Sequence, residues 1–336
     1  MDPIRFAAIG LNHNHIYGQT QLLLNAGAEL VAFFAEEDDL AAAYGKQFPQ
    51  AKRVADVRAI LDDPSIVLVT GAGIPDRRAD DAIAAMRAGK DVLFDKPSIV
   101  SLAQLDAVKQ VQAETKRIYA VYYSEHIQTR CTVKAGVLVA AGAIGRVVHT
   151  AGFGPHRLGN NNRPAWFFER PRYGGILTDI ASHQVEQFLF FTGAEDAEVV
   201  GATVANFHHP KTPGLQDFGE VMLKAPGCTG YIRADWFTPD GLPTWGDGRL
   251  TILGTDGYIE LRKYVDIGGQ PGTDHLFLVD QKGVQRIDCT HQRLPFGAQL
   301  LDDIRHRTET AMPQARTFKA MELALRAQAA AERTAV

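Results

Sequence analysis

Short apolar runs alternate with amphipathic stretches over the first third of the chain. Ile4-Arg5-Phe6-Ala7-Ala8-Ile9 is an apolar run that Gly10 closes, and a helical pattern follows from about His15 to Ala26. Further apolar runs lie at Glu29–Phe34, Ala51–Val54, Ile66–Thr70, Asp91–Asp95 and Ile118–Tyr123. Between them the helical spacing recurs at Leu40–Phe48, Val57–Leu61 and Ala79–Ala88, with Gly89 in the usual position after a helix. Ser101 has the chemistry of an N-cap for a helix reaching Thr115. Strands that are apolar on both faces and alternate with helices predict a parallel, doubly wound sheet.

The pattern changes after Gly145. Arg146–Phe153 reads as a strand, a polar and aromatic stretch occupies Pro155–Arg172, and a helix is predicted from Thr178 to Phe191. Strands then follow one another with turn residues between them: 198–207, 218–223, 229–235, 249–253, 258–262, 275–279 and 284–287. This predicts an open antiparallel sheet with the Thr178 helix on one face. Closing helices are expected at Gln299–Thr308 and Thr317–Arg333, the second returning to the first sheet. The expected division is 1–124, 125–312 and 313–336.

Composition narrows the class. The 336 residues are 46% hydrophobic and 22% charged, ordinary for a globular chain with a sizeable core. A net charge of −4 gives no basic surface for nucleic acid. No apolar run approaches the roughly 20 residues of a membrane helix, and the N-terminus lacks the form of a signal peptide. Cys131, Cys228 and Cys289 are far apart and make neither a metal spacing nor a disulfide framework, which points to a reducing cytoplasm.

Candidate chemistry sits at three places. The first turn, Gly10-Leu11-Asn12-His13-Asn14-His15-Ile16-Tyr17-Gly18, is where a dinucleotide fold carries Gly-x-Gly-x-x-Gly. Only the first glycine is present; Asn12 and His15 replace the others. Beyond the second strand, Glu36 is placed to bind the ribose hydroxyls of NAD and to repel the extra phosphate of NADP; a solvated acidic loop is the other reading. His13 and His15 also form a His-x-His pair, the basis of a rival reading as a metal-dependent hydrolase on an eight-unit barrel. About six strand–helix units argue against that barrel. Lys96, after the buried strand Asp91–Asp95 and before Pro97, would face the crevice at the strand ends, unless it simply pairs with Asp95.

The third place is Gly174-Gly175-Ile176-Leu177-Thr178-Asp179-Ile180-Ala181-Ser182-His183. On a continuous helix Asp179 and His183 would share a face one turn apart, an acid beside a base suited to proton transfer. A capping aspartate with a core histidine fits the residues equally well. The loop Pro155–Arg172, with His156, Asn160, Asn161, Asn162, Arg163 and Trp166, offers groups suited to a polyhydroxylated ligand.

These motifs in this order resemble the Gfo/Idh/MocA (glucose–fructose oxidoreductase / inositol dehydrogenase) family. Ala84–Pro97 is similar to its helix, Ala-Gly-Lys turn, strand and Glu-Lys-Pro motif, with Asp95 for Glu; Gly142–Val147, Gly174–His183 and Gly254–Ile259 resemble later segments. The resemblance implies an N-terminal Rossmann domain and a C-terminal, mostly antiparallel α+β domain for substrate and oligomer contacts. It implies an NAD(P)-dependent dehydrogenase of a sugar, polyol or inositol-like alcohol with no metal, and the carboxylate of Glu36 favours NAD over NADP. Catalysis would fall to Lys96, Asp179 and His183, with His183 as general base. Gly10, Leu11, Asn12, His13, Asn14, His15, Glu36, Gly71, Ala72, Pro75, Asp95 and Lys96 would hold the dinucleotide. Tyr123, His126, His156, Arg163 and Trp166 would face the substrate. Ser124-Glu125-His126 departs from the family's usual Asn-x-Arg, so the substrate does not transfer from a relative. An uncovered sheet face implies a homodimer or homotetramer. Three other functions stay open on the sequence: an NAD-retaining lyase or glycosidase, the metal-dependent hydrolase, and a non-catalytic dinucleotide-binding regulator.

Overall fold

The structure, a computed structural model, describes residues 2–159 and 163–333. The chain forms two compact units, Met1–Tyr122 with Pro295–Phe318, and Tyr123–Leu294 with Lys319–Val336. Asn160, Asn161 and Asn162 lie outside the described residues.

The first unit is built on strands β1 (Arg5–Ile9), β2 (Glu29–Phe34), β3 (Lys52–Arg53), β4 (Leu68–Gly71), β5 (Asp91–Asp95) and β6 (Tyr119–Tyr122). All pair in parallel, in the order β3-β2-β1-β4-β5-β6. Phe6, Ala7, Ala8, Leu68, Val69, Val92 and Leu93 have no exposed surface, as a sheet covered on both faces requires. The order reverses between β1 and β4, and ligands of such sheets bind beyond the strand ends at that point. The connecting helices begin and end where their local chemistry dictates. Pro75 opens the helix Pro75–Arg87, and Ser101 caps Leu102–Thr115 by accepting from the Gln104 amide at 3.2 Å.

The second unit carries β7 (Val147–Pro155), β8 (Glu198–Ala205), β9 (Phe218–Ala225), β10 (Cys228–Asp235), β11 (Arg249–Gly254), β12 (Tyr258–Arg262), β13 (His275–Asp280) and β14 (Gly283–Ile287). They form one sheet in the order β14-β13-β12-β11-β7-β10-β9-β8, antiparallel except that β7 and β10 run parallel. Alternate residues of the inner face, among them Val221, Ile232, Leu250, Ile252, Ile259 and Leu276, are buried. Each such side chain stabilises the fold by about 1.5–3 kcal/mol.

Two glycines on that face set how closely a helical segment can lie. A Cβ at Gly152 would approach the Gln184 Cγ to 2.8 Å, and one at Gly230 would approach the Phe188 ring to 2.7 Å. The segment itself is not the single helix expected from Thr178 to Phe191. It is a short turn of helix, Ile176–Asp179, followed by a second helix, Ser182–Thr192. At the join the Ala181 amide donates to the Ile176 carbonyl, five residues back, and the His183 amide donates to the Ile180 carbonyl, three back. The four-residue register that would align Asp179 above His183 is therefore interrupted.

Candidate active site

The loop after β1 is tight for a reason the sequence displays. Gly10 has φ +61°, and a Cβ there would lie 2.7 Å from the Gly73 Cα. The loop and the segment after β4 are laced together: the His13 amide donates to the Ala72 carbonyl at 2.9 Å, and the Ala72 amide to the Gly10 carbonyl at 3.0 Å. Asn12 does not hold its amide open. Its Nδ2 donates to the Glu37 Oε1 at 2.7 Å, tying the loop to the end of β2. The packing glycine is displaced by one helical turn: a Cβ at Gly18 would lie 2.7 Å from the Tyr122 hydroxyl oxygen. Gly18 therefore leaves room for the Tyr122 side chain, and His15, at the place of the third glycine, pairs with Asp95.

Glu36 is exposed on the wall of a cavity of about 600 Å³ beyond the end of β2, lined also by Phe34, Ala35, Arg53, Val54 and Ala55. Arg53, the one cation of that wall, is bonded to Asp38 at 2.6 Å and to the Ala35 carbonyl at 3.3 Å. A cradle closed to any Cβ at Gly10 and an open carboxylate at Glu36 suit the pyrophosphate and ribose of a dinucleotide.

His13, His15 and Asp95 converge, with ligand atoms within 4.8 Å of one another. His15 Nδ1 lies 2.8 Å from Asp95 Oδ1, and His13 Nδ1 lies 3.4 Å from Oδ2. Arg78, itself fully buried, approaches the same Oδ2 to 3.2 Å. Burial would raise the Asp95 carboxyl, but His15, Arg78 and His13 outweigh it and hold the group far below the carboxylate range. Burial, with the His15 charge, keeps His13 well below the ordinary imidazole value.

Arg78 came from no sequence motif. It sits in the Ala-rich helix Pro75–Arg87, where a charged residue reads as surface. Its Nε donates to the Gly73 carbonyl at 2.7 Å, and its Nη1 to the carbonyls of Lys96 at 2.7 Å and Pro97 at 3.1 Å. One guanidinium thus fixes the segment after β4 and the Lys96–Pro97 turn after β5, whose peptide is cis. Lys96 is 5% exposed.

In the second unit, Asp179 and His183 are buried at 8% and 2% exposure. The turn that bears Asp179 is capped from afar. The Ile176 amide donates to Gln216 Oε1 and the Leu177 amide to Gln328 Oε1, both at 3.0 Å. The Tyr123 ring meets His183 edge-on at 6.0 Å between centroids. His156 packs between Trp236 and Trp245, at 5.4 and 4.6 Å. Arg163 lies over Phe167 and Trp236, its charge disfavoured by burial and supported by Asp179. Trp166 is buried against Phe167. His126 faces elsewhere: its Nδ1 is 2.9 Å from the buried Glu186 carboxylate. Trp236 is a packed member of this cluster.

Sequence reasoning missed a buried polar network beneath His183. Lys263 Nζ donates to Glu125 Oε2 at 2.7 Å and to Gln187 Oε1 at 2.9 Å, and Gln184 Nε2 donates to the same Glu125 oxygen at 2.9 Å. Lys263 and Glu125 are 138 residues apart in the chain, so no spacing rule connects them.

Comparison with known proteins follows both units. Residues 4–123 match the oxidoreductase family with an NAD-binding Rossmann fold, and residues 132–260 match the GFO/IDH/MocA C-terminal domain. The chain belongs to the Gfo/Idh/MocA oxidoreductase family. It is 50% identical to a provisionally named oxidoreductase from Erwinia carotovora atroseptica, with TM-score 0.95 over 98% of each chain. It is 29% identical over 181 residues to 1,5-anhydro-D-fructose reductase of Ensifer adhaerens, a match that covers 52% of each. The chain thus spans about half the length of that relative. It is 25% identical over 264 residues to scyllo-inositol 2-dehydrogenase (NAD(+)) of Bacillus subtilis, covering 76% of this chain and 73% of that one. Membership removes the ground for the hydrolase reading, since the first sheet is open, with edge strands β3 and β6, rather than a closed barrel. The NAD-retaining lyase or glycosidase finds no support among these Gfo/Idh/MocA relatives either.

Proposed function

We propose that this protein is an NAD-dependent dehydrogenase acting on a hydroxyl-bearing carbon of a sugar, polyol or inositol-like substrate. What carries the reading is membership of the family across both units, together with the exposed Glu36 carboxylate on the cavity after β2. The loop Gly10–His15, Gly71, Ala72, Pro75, Asp95 and Glu36 would hold the dinucleotide, and Glu36 would select NAD over NADP by repelling a phosphate on the ribose. Bound NAD supplies the acceptor for the hydrogen and its two electrons. The residues of the chain do the rest. His183 takes the proton of the substrate hydroxyl, Lys96 stabilises the negative oxygen that forms, and Asp179 orients the hydroxyl. Tyr123, His156, Arg163 and Trp166 contact the remaining hydroxyls.

The test is a screen of sugars and inositols, including scyllo-inositol, with NAD and with NADP, followed at the nicotinamide absorbance band. Net NADH formation with at least one polyhydroxylated alcohol is expected. If NAD binds but no member of the panel is oxidised or, in reverse, reduced, the non-catalytic reading replaces this one. We also propose a cytoplasmic homo-oligomer. The outer face of the second sheet, with Met222 and Tyr258 exposed at 53% and 39%, would meet a second copy. Among the described residues no helix is long and apolar enough to cross a membrane.

A further inference from the structure

Glu125 has no role in the reading above, yet its surroundings are built. It is 1% exposed, and so is its partner Lys263. Its Oε2 accepts from Lys263 and from Gln184, the residue next to His183. Lys263 also donates to Gln187, and Gln187 Nε2 donates to the His183 carbonyl at 3.0 Å. The other carboxylate oxygen, Oε1, is buried and accepts no hydrogen bond among the described residues. Two short chains of bonds therefore fasten this carboxylate to the turn that carries His183.

We infer that Glu125 is a positioning residue whose ionised carboxylate raises the basicity of the His183 imidazole. The inference rests on the reading of His183 as the base. A buried imidazole left to itself is a poor base, because burial disfavours its cation. A nearby anion reverses that. The carboxylate is present as an anion: burial, the largest influence, would raise it, but Lys263, His183 and His156 bring it down to about 2. Lys263 opposes the effect at His183 and reaches that turn through Gln187, while Glu125 reaches it through Gln184, the residue beside His183. Other charged or titratable groups near the pair among the described residues include Tyr264, whose phenol is raised by burial and then by Glu125, the His126–Glu186 pair beside Glu125 in sequence, and Asp179 four residues before His183.

The test is an NMR pH titration of the full chain labelled with [13Cε1]-histidine, the His183 signal being identified by its loss in His183→Asn. Glu125→Gln is expected to lower the His183 midpoint by about one pH unit, and Glu125→Asp, which keeps the charge, by less than about half a unit. Should Glu125→Gln not fold, Glu125→Gln with Lys263→Met removes both charges of the buried pair. Its midpoint is expected to fall as well, by a smaller amount. A midpoint within about 0.2 unit of the parent in the folded variant overturns the inference. The acid limb of kcat/KM for a substrate found in the screen separates the two layers of the argument. A midpoint that falls while that limb stays put leaves the Glu125–His183 link standing and removes His183 from the role of base.

Discussion

Replacing Arg78 by Met is the sharpest structural test. The side chain is fully buried and makes three hydrogen bonds to carbonyls besides its 3.2 Å contact with Asp95. Removing one partner of a buried ion pair costs about 3–5 kcal/mol. A buried acceptor that loses its donor adds about 1–3 kcal/mol, but Asp95 keeps His15 and water can reach part of the vacated space, so only a fraction of that applies. A loss of about 4–6 kcal/mol is expected, against a total stability of about 5–15 kcal/mol. Arg78→Lys keeps the charge but not the fork, and should lose about half as much. Urea unfolding followed by far-UV circular dichroism is the assay, since Trp166, Trp236 and Trp245 all belong to the second unit. A midpoint for Arg78→Met that corresponds to less than about 1 kcal/mol of destabilisation would refute the view that this guanidinium holds the two loops.

Three further outcomes are expected. Lys96→Ala and His183→Ala should each abolish turnover while NAD binding, measured by calorimetry, stays within about threefold of the parent; retained activity in either removes that residue from the mechanism. Glu36→Ala should weaken NAD binding and narrow the gap to NADP, and an unchanged ratio of the two affinities would exclude Glu36 as the selector. Asp81 is raised from 3.8 to about 6, chiefly by burial and then by Asp80, with Glu36 adding to it. Its stabilising contribution as the neutral acid is complete below about pH 4 and is lost as pH rises through about 6. Asp81→Asn should match the parent in acid and exceed it near pH 8 by at most about 3 kcal/mol, read from urea midpoints; equal stability at both pH values would contradict the shift.

The strand–helix alternation of the first unit is legible because a buried parallel strand must be apolar throughout and its helices must not be. Ser101 and Gly89 mark helix ends through their own chemistry, so they too can be read locally. The exchange of strand order that makes β7 and β10 parallel neighbours is set by distant pairing and leaves no local trace. The interrupted helix around Ile180 was hidden because no Gly or Pro marks the break; Gly152 and Gly230, on β7 and β10, face the segment that carries it. Arg78 was not singled out because a charged residue in an Ala-rich helix signals solvent, and only the fold shows three carbonyls aimed at it. The bond from the Asn12 side-chain amide to Glu37, 25 residues away, was likewise beyond any local pattern. Lys96 and His183 were visible as candidates because their motifs are short and contiguous. The Glu125–Lys263 pair beneath His183 is neither.

The capping of Leu177 by Gln328 has a consequence for synthesis. The two residues are separated by 151 positions. At the usual translation speed of about 5–20 residues per second, the turn bearing Asp179 waits roughly 8–30 s for its last hydrogen-bond acceptor to be made. During that interval the Leu177 amide has no final partner, although Gln216 is already made for Ile176, and a nascent chain stalled short of Gln328 would present this turn to the ribosome's surroundings unfinished.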